Sequence, residues 1–247
     1  MLLSDRMRAV AGLVQPCKSI ADIGCDHGYV AMELVRSKTC RHVIAMDINS
    51  GPLDRARQNI VNYDMQDYIE TRLSDGVSAL QAGEVEGIIC AGMGGRLVIS
   101  ILEQGKKLVS EMKQVILQPQ SELNEVRSYL REKGFVIEKE DMIYEDGKYY
   151  PMMRALPGAF GKLERQIGGT IKEIQRLTRV QDTYGPCLLE MAHPILKNYL
   201  LWQKAGLEDI RNHLLGQKQM TDRQQYRVAE LEEKLSDIVF CLYCYYK

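Results

Sequence analysis

The chain has 247 residues, 45% of them hydrophobic, with 32 Lys+Arg against 33 Asp+Glu and a formal net charge of −1. That is apolar material for one large domain, or one domain with an appendage, and the balanced charge excludes a globally basic nucleic-acid coat. Seven cysteines, an odd number spread along the chain, fit a reducing cytoplasm better than a disulfide framework. No signal peptide opens the sequence, and no apolar run approaches the roughly 20 residues that cross a bilayer.

In chain order, Leu3–Val14 predicts a short helix with Ser4 as N-cap and Met7, Val10 and Val14 as an apolar stripe, Ala11 beside it. Arg6 and Arg8 stand two apart, so they do not share one line of that helix. Either could reach a ligand carboxylate, with Arg8 read as solvated. Ile20, Ala21 and Ile23 then predict a buried strand, broken by Gly24 and Gly28, and Val30–Arg36 predict a helix. Strand, glycine turn and helix bring bare backbone and helix N-terminal amides to a ligand at the open end of a parallel sheet. The turn Gly24-Cys25-Asp26-His27-Gly28 lacks the middle glycine of a dinucleotide loop. Asp22 and Asp26 would repel a pyrophosphate but suit a cation. S-adenosylmethionine (SAM), with an α-ammonium and a sulfonium, is such a ligand.

His42–Asp47 predicts a second strand, and Asp47 follows Gly28 by 19 residues. An acid at that offset accepts hydrogen bonds from ribose hydroxyls. A helix over Pro52–Tyr63 turns Leu53, Ala56 and Ile60 inward. Tyr68–Leu73 predicts a third strand running into Ser74-Asp75-Gly76. There Asp75 could accept from an adenine amino group over the thin wall left by Gly76, or the pair could be an ordinary Asp-Gly turn. A fourth strand, Gly87–Ala91, ends in the cluster Gly92-Met93-Gly94-Gly95, and a fifth covers Gln114–Gln120. Phe135–Glu138 and Tyr149–Leu156 close the series around Glu145–Lys148. Strands alternating with helices predict an α/β doubly wound, Rossmann-like domain with its site at the strand C-termini.

Beyond a hinge at Pro157-Gly158 the pattern changes. Leu196, Leu200, Gln203, Leu207, Ile210 and Leu214 alternate steps of four and three, as do Val228, Leu231, Leu235, Ile238 and Leu242. Gly216 and the polar run Gln217–Asp222, with Thr221 or Asp222 as cap, predict a reversal and hence an antiparallel helical hairpin. Either stripe could instead pack on the sheet domain or on a second subunit. The part after residue 160 is mildly basic, 13 Lys+Arg to 11 Asp+Glu, against 19 to 22 before it. Lys162, Arg165, Lys172, Arg176 and Arg179 make either a solvated helix face or a phosphate track. Cys241 and Cys244 form a lone CxxC without partners for a metal. Tyr243, Tyr245 and Tyr246 anchor a helix or stack on bases.

The run Ala21–Tyr29, the strand-end Asp47, Ser74–Gly76 and Ala91–Gly95 together resemble a bacterial family of tRNA (adenine-22-N1)-methyltransferases, and the resemblance spans the full length. It implies a class I SAM-dependent methyltransferase domain over residues 1–158 and a helical coiled-coil, tRNA-binding domain over 159–247. It also implies that Asp22, Gly24, Asp26, Gly28, Asp47, Asp75, Gly76 and Gly92, Met93 and Gly94 line the SAM pocket, with Cys25 and Ile48 in the same turns. The product would be 1-methyladenosine in tRNA, made by a cytoplasmic, metal-free monomer or weak dimer.

Methylation at adenine N1 leaves a cation, so a catalytic base is optional. Asp26 and His27 are the candidates to orient or polarise the base, although His27 could be a turn residue bonded to backbone. Gln118 and Gln120 flank Pro119 where amino-methyltransferases often carry Asn-Pro-Pro-Tyr. That difference argues against attack by an exocyclic amine and leaves the two amides as base-edge readers. The alternatives are a small-molecule methyltransferase and a non-catalytic SAM- or RNA-binding module; a nicotinamide oxidoreductase ranks last.

Overall fold

Strands of a parallel sheet covered on both faces need near-continuous apolar runs. The chain supplies them in β1 (Cys17–Ile23), β2 (Cys40–Asp47), β3 (Ile69–Leu73), β4 (Gly87–Met93) and β5 (Gln114–Pro119). The hairpin of β6 (Val136–Glu145) and β7 (Lys148–Leu156) completes a seven-stranded sheet of order β3-β2-β1-β4-β5-β7-β6. The computed structural model describes residues 3–158, 170–217 and 219–246. Residues up to 158 belong to one compact unit and those from 170 to another. Lys162 and Arg165, and the first residues beyond the expected boundary at 158, lie outside the described residues.

In the first unit β1 pairs in parallel with β2 on one side and β4 on the other. Successive connections therefore leave β1 in opposite directions, which opens a crevice beyond the C-terminal ends of β1 and β4. Alternation along each strand feeds two cores. Ile20, Val43, Ala45, Ile89 and Ile116 face one side, under α1 (Asp5–Leu13), α2 (Tyr29–Arg36) and α3 (Ser50–Asn62). Ala21, Ile23, Ile44, Met46, Cys90 and Leu117 face the other, under α4 (Gly95–Gln104), α5 (Lys106–Ser110) and α6 (Leu123–Glu132). Full burial of each Ile or Leu contributes about 1.5–3 kcal/mol.

The structure departs from sequence expectation in several places: β1 starts at Cys17 rather than Ile20, and β4 runs through Gly92 to Met93. Leu13, left out of the expected stripe, is fully buried, whereas Met7 is only partly so. The first closing strand does not stop at Glu138 but runs to Glu145. Its acidic middle is tolerated because buried Glu140 accepts a hydrogen bond from buried Arg127 at 2.9 Å. The hairpin then turns through Asp146 and Gly147, both at positive φ (50° and 76°), the chemistry of a tight two-residue turn.

The second unit is helical: α7 (Ile171–Tyr184), α8 (Pro186–Glu190), α9 (Pro194–Leu215) and α10 (Asp222–Tyr245). Helices α9 and α10 form an antiparallel hairpin. Gln224 donates to Gln217 at its turn (2.7 Å), and the Tyr246 hydroxyl donates to the His193 carbonyl at its open end (3.1 Å). Thr221 caps α10 in a reciprocal box with Gln224. Leu196, Leu200, Val228, Leu231, Leu235 and Ile238 are buried, while Ile210, nearer the turn, is 47% exposed. Helix α7 carries Lys172, Arg176 and Arg179 of the expected helix face or phosphate track, α8 falls outside every expected element, and their Val180, Tyr184, Leu188 and Leu189 are buried. Arg176 and Arg179 are held by Asp237 at 3.1 and 2.8 Å, and Arg179 also pairs with Glu233. They are committed inside the unit rather than free along its surface.

Candidate active site

The crevice is built around the turn after β1. The Gly24 and Cys25 amides both donate to the Met46 carbonyl of β2 (2.8 and 2.9 Å), and the Gly28 amide donates to the Cys25 carbonyl (2.8 Å). This folds the turn flat across the strand ends. Gly24 and Gly28 have φ of +74° and +72°, and Asp26 adopts +46° between them. A Cβ on Gly28 would lie 3.3 Å from the Ala56 Cβ of α3, and one on Gly24 would lie 3.1 Å from the Met93 methyl. Both positions combine left-handed backbone with close packing, which suits glycine.

Asp22, the penultimate residue of β1, is 4% exposed, and one of its carboxylate oxygens has no hydrogen-bond partner. Burial pushes its carboxyl up to about 7; the Ala31 amide, in the first turn of α2, partly offsets this, and neighbouring Asp47 adds to it. Asp47 closes β2 and is also buried; one oxygen accepts from the Asn49 amide at 2.9 Å. The Cys25 thiol sits among these acids. Burial raises its pKa most, and Asp22, Asp47 and Asp26 raise it further. The structure thus brings Asp22, Cys25, Asp26 and Asp47 around one turn. A buried carboxylate without a partner is costly in isolation. Here it leaves an acceptor suited to a cation such as the ammonium of SAM.

The Asp47 carbonyl accepts from the Ser74 amide (2.9 Å), which carries the wall on to Asp75 and Gly76. Buried Ser74 donates to the Gly76 carbonyl (2.9 Å), and Asp75 is left exposed at the loop surface. Ile48 is 58% exposed beside Asp47. Across the crevice the Gly92 amide donates to the Gln118 side-chain oxygen (3.1 Å), and the Gly95 amide donates to the Ser121 hydroxyl (3.3 Å). Gly94 precedes α4, and Met93 is half-buried.

Asp26 and His27 stand on the α3 side of the turn. Arg55 donates to one Asp26 oxygen at 2.8 Å, and His27 Nε2 lies 3.5 Å from the other. The His27 ring stacks on Tyr29 with centroids 5.5 Å apart, and its carbonyl accepts from Asn59 at 3.0 Å. Sequence reasoning missed Arg55 and Asn59; their spacing of four on α3 is the one signal that both face the turn. A further cluster gathers at the ends of β4 and β5. Arg6 donates to the Gln118 side-chain oxygen (3.4 Å), and its guanidinium lies 5.2 Å from the Tyr150 ring centroid. The Arg6 backbone amide donates to Glu145 (3.2 Å). Gln118 is 1% exposed and its Nε2 has no partner. Arg8, by contrast, pairs with Asp5 at the surface.

Among the described residues no group of three His, Cys, Asp or Glu side chains could hold a metal ion, and no helix is long and apolar enough to cross a membrane.

A family model described as a methyltransferase domain matches residues 3–153. The tRNA (adenine(22)-N(1))-methyltransferase of Bacillus subtilis is 33% identical over 156 residues, covering 63% of this chain and 66% of that protein, just under two thirds of its length. The crystal structure of the B. subtilis m1A22 tRNA methyltransferase is 25% identical, covers 98% of this chain and 99% of that one, and superposes with a TM-score of 0.81. A Streptococcus pneumoniae protein described as "a putative tRNA (m1A22) methyltransferase, in complex with S-adenosyl-L-methionine" is 27% identical, covers 98% and 100% of the two chains, and superposes with a TM-score of 0.79. With the seven-stranded sheet and acid-lined crevice already in place, these matches make the chain a member of the bacterial tRNA (adenine-22-N1)-methyltransferase family of class I methyltransferases.

Proposed function

We propose that this chain transfers a methyl group from SAM to N1 of adenine 22 in tRNA, giving 1-methyladenosine. The observation that carries this reading is the unpartnered, buried oxygen of Asp22 beside Asp47 at the switch point of the sheet. Asp22 receives the ammonium of SAM, Asp47 its ribose hydroxyls and Asp75 its adenine amino group. Gly24, Gly28, Gly76, Gly92 and Gly94 admit it through bare backbone, and Cys25, Ile48 and Met93 supply apolar wall. Bound SAM supplies the electrophilic methyl.

The chain's own work is to hold the acceptor nitrogen in line and keep water out. Adenine N1 lies on the Watson–Crick edge, so the base must leave its stack to enter. Buried Asp22 and Asp47 mark the β1–β3 half of the crevice, whereas the β4–β7 half presents Arg6, itself held by Glu145, with Gln118, Gln120 and Tyr150. We assign that second half to the base, with Gln118 fixing the Gly92 backbone and Arg6 together. Asp26 and His27 orient the base from the turn, Asp26 itself being held by Arg55. Residues 1–158 carry the chemistry and 159–247 dock the RNA, in a cytoplasmic, metal-free monomer or weak dimer.

The test separates the two halves. Asp47→Ala should weaken SAM binding about 100-fold, as expected for losing two charge-assisted hydrogen bonds at roughly 1.5–3 kcal/mol each, less compensation by water. Gln118→Ala, which also frees the Gly92 amide in the cofactor wall, should weaken SAM binding by less than tenfold and lower the methylation rate at least tenfold. Loss of SAM binding in Gln118→Ala, or its retention in Asp47→Ala, would sink the assignment.

A further inference from the structure

At the ends of β1 and β2 away from the crevice, another pair of side chains is placed for chemistry. Cys17 opens β1, Cys40 opens β2, and the two are direct register partners across the parallel pair. Their Sγ atoms lie 3.2 Å apart. Neighbouring strands run about 4.8 Å apart, inside the Cα separation of about 4.4–6.8 Å that a disulfide spans. An S–S bond measures about 2.05 Å, so closure requires the sulfurs to move by about 1 Å, a side-chain adjustment.

The two thiols are not equivalent. Cys40 is 2% exposed, whereas Cys17 is half-buried and accessible from solvent. The hydrogen bond between the two sulfurs, which either thiol could donate, lowers the Cys17 thiol pKa; Lys113 acts the same way, and burial and Glu86 oppose it. One sulfur is therefore the accessible nucleophile and the other is the resolving partner held against it.

We propose that Cys17 and Cys40 form a peroxide-sensitive dithiol that closes to a disulfide between β1 and β2. The Cys17 thiolate attacks one oxygen of a hydroperoxide. The O–O bond breaks, the departing oxygen takes a proton and leaves as water or alcohol, and Cys17 becomes a sulfenic acid. Cys40 loses its proton and attacks the Cys17 sulfur; the S–O bond breaks and hydroxide leaves as water. Two thiols lose two electrons and two protons, and the hydroperoxide is reduced. The staple closes the segment between residues 17 and 40 at the ends of strands already paired. It therefore resists unfolding without altering Asp22 and Asp47 at the other ends.

The full-length protein is treated with hydrogen peroxide, alkylated, digested and mapped by mass spectrometry. A peptide linking Cys17 to Cys40, an intact mass lower by two hydrogens, reversal by dithiothreitol, a thermal midpoint several degrees higher and SAM affinity unchanged within twofold are expected. Cys40→Ser should strand Cys17 as a sulfenic acid that a dimedone probe captures, and Cys17→Ser should leave Cys40 unreacted. Should either variant fail to fold, the wild-type map decides alone. Oxidation of Cys17 to the sulfinic acid with Cys40 still alkylatable, or a first linkage between Cys241 and Cys244, overturns the proposal.

Discussion

Asp22 carries the sharpest consequence of the site's electrostatics. Its carboxyl is raised to about 7, chiefly by burial, against an ordinary value near 4. The folded, ligand-free chain therefore binds this proton more tightly than the unfolded chain does. Its contribution to stability is greatest below pH ~4 and is lost progressively as pH rises to about 7. A cation in the crevice reverses the preference by favouring the carboxylate. SAM affinity should consequently rise with pH, by up to about tenfold per unit, and level off above about 7. Calorimetric titrations across that range should show the slope in the wild type and a flat profile in Asp22→Asn. An equal slope in the variant would assign the proton elsewhere. Asp22 and Asp47 were legible because a glycine turn and a fixed offset place them. Arg55, Asn59, Glu145 and Tyr150 were not, since tertiary packing brings each to the site; the spacing of Arg55 and Asn59 puts them on one helix face without saying what that face meets.

Among the elements, the turn between β1 and α2 is the most constrained. Gly24→Ala would force a left-handed alanine and press its Cβ to 3.1 Å from the Met93 methyl. We expect a loss of about 1–2 kcal/mol in denaturant unfolding, together with weaker SAM binding. In the helical unit Asp237 anchors both Arg176 and Arg179. Charge reversal at the two arginines would set carboxylates against Asp237 and Glu233, so thermal stability should fall even without RNA. An unchanged melting curve would show that the ion pairs contribute nothing measurable. The sequence made the buried strands and the hairpin stripes readable because their apolar periods are long. Helix α8 is a five-residue element, and α7 is mixed in polarity, with only its Thr170–Glu173 capping box to mark a start. Strand β6 continues beyond Glu138 because Arg127, distant in sequence, neutralises Glu140.

For the whole molecule, one charge pattern unites the account. Buried Asp22 and Asp47 lie at the ends of β1 and β2, the half proposed for the sulfonium cofactor, whereas Gln118, Tyr150 and an Arg6 held by Glu145 stand over β4, β5 and β7, the half proposed for the base. Family membership and this partition point to the same reaction. The direct test is methyl transfer from radiolabelled SAM to unmodified tRNA, followed by nucleoside analysis and mapping of the modified position. The expected product is 1-methyladenosine at position 22, lost in Asp47→Ala while the fold is retained. SAM binding with no methylated nucleoside, or methylation on another atom of the base, would contradict it.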